Sequence, residues 1–297
     1  MFNSFEKKGS GFITRGEIKT VKAQTLYWAM FLVLAVLAAV CVFPILWVIL
    51  SGFKDLDEFN RVPPTIIPQS FDFSKFIFVW NDSKLYNYYF NSFLYSFGSI
   101  LCCLLFNGLA GFVLSRLRPK GSGVLLKIMF ILILLPAGIG QVPLYKQLVD
   151  LPYVHKSVLN SYIPLWLKMG ASAYNIILFK NYFDSISNSI IEAAKIDGCS
   201  PMRIFFNIII PLSKPIFIVL MIFTFNTSWG EFFWPSLVIN DKSLYTVAVK
   251  LYRDGAGNYT QDKYLLLLTL TVIPPILVFV FFNKQIMTGF QTGGVKE

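Results

Sequence analysis

Six long apolar runs divide this chain of 297 residues and restrict what it can fold into. Each run has about 18 residues or more, the length an α-helix needs to cross the hydrocarbon core of a bilayer. The runs cover residues 25–50, 90–114, 125–149, 159–181, 208–237 and 264–282. Stretches such as residues 31–50 are apolar on every face, whereas membrane β-strands alternate in polarity. We therefore predict an all-α integral membrane protein with six transmembrane helices.

The composition excludes a soluble globular core. Apolar residues make up 55% of the chain and charged residues 14%, against about 45–50% and about 25% in soluble domains. The net charge of +10 raises the question of a nucleic-acid partner, but the basic residues are scattered over every polar segment and form no concentrated stripe. We expect the apolar surface of the protein to contact the lipid bilayer, and we expect no nucleic-acid partner.

The distribution of basic residues predicts the orientation. With both termini in the cytoplasm, 15 of the 26 Lys and Arg residues lie inside and 11 outside, in the sense of the positive-inside rule. We expect a cytoplasmic basic head at residues 1–24, a six-helix transmembrane domain at residues 25–290 and a cytoplasmic tail at residues 283–297. Residues 52–89 would form the longest external connection.

The cysteine and histidine content argues against metal or redox chemistry. The four cysteines at positions 41, 102, 103 and 199 contain no C-x-x-C pair, and His155 is the single histidine. A multi-histidine metal centre is excluded. We expect no metal site and no catalytic residues, since clustered His, Cys or carboxylate groups are also missing from the sequence.

Residues 183–215 separate the fourth and fifth runs and are too polar to cross a bilayer. Ser189 and Glu192 have the spacing of a capping box, in which the serine oxygen accepts from the N3 amide and the glutamate reaches back. We predict a short helix from Ser189 to Asp197. Gly198 would end it, because glycine adopts the left-handed conformation without a Cβ penalty.

A second helix is predicted directly after this turn. Ser200 suits the N-cap position, and Pro201 suits the first helical position, where its missing amide costs little. Pro211 and Pro215 would kink the chain where it enters the fifth run. The segment therefore reads as helix, tight turn and helix at the membrane surface.

The same segment resembles the EAA loop of ATP-binding-cassette (ABC) importer permeases. Residues 192–198 read Glu-Ala-Ala-Lys-Ile-Asp-Gly, and Phe205, Ile209 and Pro211-Leu212 follow at the spacing of that family. The resemblance to these binding-protein-dependent transport components implies a type I ABC importer permease fold with a cytoplasmic coupling helix. It also implies a multi-pass protein of a bacterial or archaeal cytoplasmic membrane.

In this family the EAA helix docks in a cleft of a cytoplasmic ATPase subunit and transmits the closure of that subunit to the membrane helices. A small-residue face permits close approach, and acidic groups can form charge-assisted bonds with a basic partner. By resemblance, Glu192 is the main candidate for a salt bridge. The implied coupling residues are Glu192, Ala193, Ala194, Asp197, Gly198 and Phe205.

The chain contains no G-x-x-x-x-G-K-[ST] phosphate loop, so it is not expected to hydrolyse ATP itself. The resemblance implies two cytoplasmic ATP-binding subunits that carry ATP and Mg²⁺, with no cofactor bound by this chain. It also implies a second, homologous permease subunit that forms a heterodimer with it, and an external or periplasmic sugar-binding protein.

Short motifs elsewhere resemble the carbohydrate branch of the family, in particular the smaller maltose permease subunits. They are Gly52-Phe53-Lys54, Asn91-Ser92, residues 229–235 (W-G-E-F-F-W-P) and the glycine-rich tail 288–296. Gly230 stands where the family usually has asparagine. The resemblance implies import of a carbohydrate, an oligosaccharide in particular.

Candidates for the transport pathway combine aromatic faces, which stack on sugar rings, with polar groups inside or near the runs. The candidates are Trp166, Lys168, Asn226, Trp229 and Glu231. Ionisable groups in a membrane are costly and suggest a cavity or a partner. A structural interpretation competes with this one, because 30 Phe, 14 Tyr and 6 Trp make aromatic residues common throughout the chain.

Residues 240–263 are predicted to be an external loop. In the related permease subunit the corresponding loop reaches into the sugar-binding protein and dislodges its ligand. The resemblance implies that the glycine-rich stretch Gly255, Ala256, Gly257 and Asn258 is such a finger, whereas the residues alone indicate only a flexible loop.

Two other functions stay open. An ion-coupled secondary transporter or channel would also have six apolar helices, but it usually needs buried coupling carboxylates, which the first, second, third and sixth runs lack. An ABC permease for a non-sugar solute would share the EAA loop. We predict a non-catalytic permease subunit of an ABC importer that moves a carbohydrate.

Overall fold

A computed structural model describes residues 21–136, 138–152 and 156–293 of the chain, and the regular structure in these ranges is helical with no β-strand. The helices are α1 (Val21–Ser51), α2 (Leu56–Phe59), α3 (Ser74–Asp82), α4 (Leu85–Leu117), α5 (Ser122–Leu134), α6 (Gln141–Val149), α7 (Ile163–Gly170), α8 (Ala173–Asp184), α9 (Asn188–Ile196), α10 (Pro201–Leu212), α11 (Lys214–Gly230), α12 (Phe233–Val238), α13 (Val247–Asn258) and α14 (Gln261–Gly293). The predicted all-α class is confirmed.

Three of these helices, α1, α4 and α14, are each long and apolar enough to cross a membrane. The pair α10 and α11 would make a fourth span, with a bend of 82° between the two helices. The first, second and sixth predicted runs therefore correspond to continuous helices. The prediction of one helix each for runs 125–149 and 159–181 is wrong, because both runs are broken.

The break in the third run lies between Leu134 and Gln141. Leu135 leaves the helix in an extended conformation, with ψ at 136°. This is the conformation that the ring of a following proline, here Pro136, favours for the preceding residue. Hydropathy does not reveal the break, because a proline interrupts the helix without making the run polar.

The break in the fourth run separates α7 from α8 and is stabilised by a side chain of α4. Asn107 is fully buried. Its Nδ2 donates to the Met169 carbonyl at 2.9 Å, and its Oδ1 accepts from the Ser172 amide at 3.0 Å. The Ser172 hydroxyl in turn accepts from the Asn175 amide and caps α8. Irregular backbone is tolerated at membrane depth only where such partners exist.

Helix α4 packs closely against α7 and α8 through glycines. A Cβ on Gly111 would lie 2.6 Å from the Cβ of Phe179 and 3.1 Å from the Lys180 amide nitrogen. A Cβ on Gly98 would lie 2.2 Å from the Trp166 ring. Small residues let membrane helices approach in this way, so α4, α7 and α8 form one closely packed unit.

Helix α14 contains Pro274 and Pro275 and still continues as one helix. Each proline lacks the amide that would bond the carbonyl four residues earlier. The carbonyls concerned belong to Leu270 and Thr271. The Tyr89 hydroxyl donates to the Leu270 carbonyl at 2.5 Å, and the Trp229 indole donates to the Thr271 carbonyl at 3.0 Å. Side chains from α4 and α11 therefore replace the missing backbone donors.

One end of the bundle carries a cap, which we define as α2, α3, α12 and α13 with their connections. Within it Lys54 is 2% exposed, donates to the Thr65 carbonyl and lies over the Trp47 ring. The buried Glu58 carboxylate accepts from the Thr65 hydroxyl at 2.9 Å and from the Gln69 amide at 3.0 Å. The predicted external connection is therefore ordered around two buried charges.

The prediction of a flexible loop over residues 240–263 is wrong, because α13 occupies the centre of that segment. Thr246 caps α13 by accepting from the Val249 amide. The Asn91 Nδ2 of α4 donates to the Ser243 carbonyl at 2.7 Å and the Tyr245 carbonyl at 3.0 Å. These bonds hold the start of α13 against α4.

The predicted head and tail are described only in part. Residues 1–20 of the predicted head and residues 294–297 of the predicted tail lie outside the described residues. Within the described residues the chain is already helical at Val21, and α14 continues through residues 283–293. The most apolar stretch of α1 buries none of its residues against the rest of the chain, and the Thr269 hydroxyl of α14 donates to its Val48 carbonyl.

Candidate functional site

Helices α9 and α10 form the predicted helix–turn–helix. Gly198 has φ at +75°. Its amide donates to the Lys195 carbonyl, and the Cys199 amide donates to the Ala194 carbonyl, both at 3.0 Å. This pair of bonds is the Schellman arrangement that ends a helix on a left-handed residue. The predicted role of Gly198 in the turn is confirmed.

The two helix starts differ in how well the sequence predicted them. The Ser200 hydroxyl accepts from the Arg203 amide and caps α10, as predicted. Helix α9, however, starts at Asn188 with Ser187 as its N-cap residue. The predicted capping box is wrong, because the Ser189 hydroxyl lies 2.7 Å from the Ser187 hydroxyl and the two pair with each other.

One face of α9 packs against the protein's own core. Ile191 and Ala194 are buried there with Phe179, Phe183 and aliphatic residues of α10. Ala194 therefore faces inward, although the sequence placed it on a surface free to approach a partner. Small size is still needed at this position, because the residue lies against the aromatic core.

Phe205 is the centre of that core and is fully buried. Its ring centroid lies 5.3 Å from that of Phe112 in α4 and 6.5 Å from that of Phe183 in α8. Aromatic pairs at such distances add to the stabilisation from burial. Phe205 therefore connects α10 to the membrane helices and does not face a partner.

The opposite face of α9 is exposed and combines acidic with apolar groups. Glu192, Ala193 and Asp197 lie on it. Ile196 is 87% exposed and Met202, in the first turn of α10, is 56% exposed. Neither residue was among the predicted coupling residues, although the large aliphatic side chain of Ile196 stands directly before the acidic Asp197 in the sequence. The exposed side of this helix pair therefore presents large apolar side chains next to acidic groups.

A charged cluster fastens the end of α8 to the end of α4. The Asp184 carboxylate accepts from the Ser115 hydroxyl and from the Lys180 ammonium, both at 2.6 Å, and Arg118 lies 3.7 Å away. The Ser115 hydroxyl and the Lys180 ammonium both donate to this carboxylate, so the cluster joins the two helix ends by charge-assisted bonds.

Comparison with known proteins identifies the family of the chain that contains this helix pair. A family model described as "Binding-protein-dependent transport system inner membrane component" matches residues 107–289, more than half of the chain, and includes α9 and α10. The chain belongs to this permease family. It is accordingly a non-catalytic membrane component of a transport system.

Relatives of the permease extend over nearly the whole chain. The arabinooligosaccharides transport system permease protein AraQ of Halalkalibacterium halodurans is 28% identical over 94% of this chain and 100% of its own length. The sn-glycerol-3-phosphate transport system permease protein UgpE of Escherichia coli is 28% identical over 84% of this chain and 91% of its own length.

A solved structure has the same fold. A chain of a bacterial ABC transporter involved in the import of the acidic polysaccharide alginate superposes with a TM-score of 0.75. It covers 93% of this permease and 99% of its own length at 22% sequence identity. The permease therefore has the fold of an ABC importer membrane subunit.

The two aromatic pathway candidates make structural contacts in the permease. Trp229 is 2% exposed, and its indole bonds the Thr271 carbonyl next to the prolines of α14. The Trp166 indole donates to the Tyr95 carbonyl at 3.1 Å, and its ring lies over Gly98. Both side chains join helices within this subunit, which is the structural interpretation that the sequence left open.

The charged candidates lie close to the cap. The Glu231 carboxylate accepts from the Phe233 and Trp234 amides at 3.0 and 3.3 Å, at the start of α12. The Lys168 ammonium lies 4.6 Å from the centroid of the Trp234 ring. Lys168 and Trp234 also line a cavity of about 600 Å³, and all of its other lining residues are aliphatic. That cavity offers few of the hydrogen-bonding groups a sugar requires.

The remaining candidate, Asn226, faces outward. It is exposed in the second half of α11, together with Phe223, Thr227 and Gly230. These positions share one helix face, because residues three, four and seven apart in sequence lie on the same side. The permease therefore presents a partly polar surface along a helix of membrane character.

The proposed finger residues belong to the last turn of α13. A Cβ on Gly255 would lie 2.4 Å from the Tyr264 ring of α14. Gly255 is therefore packed against α14, and Ala256, Gly257 and Asn258 complete the helix.

Among the described residues no cluster of His, Cys, Asp and Glu could hold a metal ion, while His155 lies outside them.

Proposed function

We propose that this permease is one of two membrane subunits of an ABC importer and moves an oligosaccharide delivered by an external binding protein. The observation that carries the proposal is the two-sided geometry of α9, with its inner face on the core and its outer face exposing Glu192 and Asp197. In this proposal ATP and Mg²⁺ bind to two cytoplasmic ATPase subunits, and α9 receives their movement.

The outer face of α9 has the chemistry of a docking surface. Ile196 and Met202 supply exposed apolar area, and apolar area surrounded by polar groups is typical of interfaces. Ala193 is exposed and small enough to allow close approach to the wall of a cleft. Glu192 and Asp197 would pair with basic groups of the ATPase. Ala194, Gly198 and Phe205 support the helix from behind.

We propose six membrane crossings formed by α1, α4, α5 with α6, α7 with α8, α11 and α14, with both termini in the cytoplasm. Helices α7 and α8 have 8 and 12 residues, which at 1.5 Å per residue gives about 30 Å, the thickness of the hydrocarbon core. The bend of 82° would place α10 along the membrane surface. The fold shared with the alginate importer supports this arrangement.

The substrate class rests on the relatives. AraQ is named for arabinooligosaccharides and matches the larger share of this chain, which supports an oligosaccharide. UgpE is named for sn-glycerol-3-phosphate at the same identity, so a phosphorylated polyol is the second candidate. The Lys168 ammonium near the cap is the observation in this chain that favours an anionic solute.

A homologous permease subunit would cover the outward face of α11, with the transport pathway between the two subunits. Asn226 and Thr227 would then line that pathway, because they are exposed polar residues in the second half of the helix. Lipid alone would leave these polar groups unsatisfied. The end of α13 would contact the external binding protein, since it is part of the cap.

Purification from native membranes in mild detergent tests the assembly. We expect a second permease and an ATPase to co-elute with this chain. In liposomes, the complex should then import a radiolabelled arabino-oligosaccharide only when ATP and the loaded binding protein are both present. Transport by the isolated chain, driven by an ion gradient, would instead identify a secondary transporter. Preference for glycerol 3-phosphate over the oligosaccharide would replace the substrate but retain the ABC mechanism.

A further inference from the structure

Arg116, in the last turn of α4, binds the short connection between α8 and α9. One guanidinium nitrogen, Nη2, donates to the Phe183 carbonyl and, at 2.6 Å, to the Ile186 carbonyl. The other, Nη1, donates to the side-chain oxygen of Asn188, the first residue of α9. One side chain therefore reaches the end of α8, the connection itself and the start of α9.

The connection needs such a partner for a physical reason. Only residues 185–187 separate α8 from α9, and the last carbonyls of a helix have no intrahelical donor. Arginine suits this position because its planar fork offers several donors in a fixed geometry, whereas lysine offers a point charge on a flexible chain. The Phe183 carbonyl also accepts from the Ile186 amide at 3.1 Å, so Arg116 adds side-chain bonds to a turn that is already hydrogen-bonded.

The end of α4 is itself held in place. The Arg118 backbone, at φ +44°, ends the helix and donates to the Val113 carbonyl at 2.9 Å. The Ser115 hydroxyl bonds Asp184 at 2.6 Å. Arg116 thus extends from a backbone that is fastened on both sides. A force on α9 would reach α4 through this side chain without bending the connection.

We propose that Arg116 is a positioning residue that locks the α8–α9 connection to the end of α4, so that displacement of α9 is delivered to α4. The inference rests on the proposed function, since it assumes that an ATPase displaces α9. Phe205 and its aromatic neighbours join the same helices by packing, which resists compression. The Arg116 hydrogen bonds add directional restraint, because they weaken steeply when the geometry changes.

Hydrogen exchange on the purified complex, with and without ATP, Mg²⁺ and orthovanadate to trap the ATPases, tests this inference without knowledge of the solute. In the wild-type complex we expect trapping to alter amide exchange in both α9 and the second half of α4. In R116M, which keeps side-chain length and removes the donors, α9 should respond as before. The response of α4 should fall at least about tenfold, the scale of losing hydrogen bonds to a charged group.

The matched control is R61M. It removes the same charge from an exposed arginine in the cap, away from the α8–α9 connection. It should leave both responses intact. R116K keeps the charge without the fork and should give an intermediate loss, which decides the question if R116M does not assemble. N188A removes one acceptor and should give a smaller loss.

The possible outcomes distinguish a failure of the Arg116 proposal from a failure of the proposed function. An α4 response in R116M and R116K equal to that of R61M would overturn the role of Arg116. A wild-type complex in which trapping leaves α9 unchanged, or which contains no ATPase, would instead overturn the proposed function.

Discussion

The two ends of α4 are attached to the protein by different kinds of contact. At the cap end Asn91 donates to two backbone carbonyls, and the Ser92 hydroxyl accepts the Val247 amide at 2.8 Å. At the other end, which we call the EAA end (residues 113–118 and 183–212), Arg116 and Asp184 make the connections. Neutral bonds hold one end and charged groups hold the other.

The difference extends to the placement of charge. The cap encloses Lys54 and Glu58 and satisfies them internally. The EAA end instead exposes Glu192 and Asp197 on a helix whose other face is buried. Buried charges that bond groups of the same region stabilise one conformation of that region. Exposed charges beside apolar side chains are instead available to bind another subunit. The comparison predicts that changes at the EAA end affect coupling to the ATPase, while changes to the buried polar groups of the cap affect stability.

Charge reversal should give the largest difference in effect between the two ends. E192K places a positive charge on the docking face, so we expect ATP-dependent uptake to fall at least about hundredfold, equivalent to roughly 3 kcal/mol, with loss of the co-purifying ATPase. D57K reverses an exposed acidic charge in α2 of the cap and should leave the ATPase bound. Uptake by E192K equal to that of D57K would remove the functional distinction between the ends.

Close packing near the EAA end gives the next largest effect. G111A would bring a methyl group 2.6 Å from the Phe179 Cβ, and overpacking costs about 1–3 kcal/mol. The thermal unfolding temperature in detergent should fall. G123A, in α5, meets no atom within 4 Å and should leave that temperature unchanged or raise it. An unchanged unfolding temperature in G111A would show that α4 and α8 separate easily.

At the cap end, N91A leaves the Ser243 and Tyr245 carbonyls without their donor. We expect a loss of about 1–2 kcal/mol of stability, measured as a lower unfolding temperature. The number of solute molecules imported per ATP hydrolysed should stay at the wild-type value. A fall in that ratio without loss of stability would mean that the cap also takes part in coupling.

Helix capping should give the smallest effect and tests the corrected start of α9. S200A removes the cap of α10 and should cost about 0.5–2 kcal/mol. S189A should have little effect, because the Ser189 hydroxyl bonds Ser187 and not a backbone amide. Equal losses of stability in the two variants would restore the capping box at Ser189.

The sequence predicted those features that depend on local chemistry. Apolar runs located α1, α4 and α14, and the Gly198 turn and the Ser200 cap follow from residues within one helical turn. The capping box failed although its spacing was correct, because two neighbouring serines can bond each other instead of the backbone. Periodicity and spacing do not decide between such local alternatives.

Features that depend on distant residues could not be predicted. The break at Gly170 is stabilised by Asn107, more than 60 positions away. The acceptors of Arg116 lie about as far from it in sequence. The indole of Trp229, a pathway candidate, donates to the Thr271 carbonyl, 42 positions away. No local pattern shows which carbonyl a buried side chain will reach.

The side chains that bond the carbonyls left free by the two prolines of α14 also connect three helices. These donors, Tyr89 and Trp229, come from α4 and α11, so three helices share one joint. If any of them moved away alone, it would strand a carbonyl at a cost of about 1–3 kcal/mol. Near this joint the three helices should therefore travel as a single piece. The bending of the subunit would then fall elsewhere, such as the turn at Ser213 between α10 and α11.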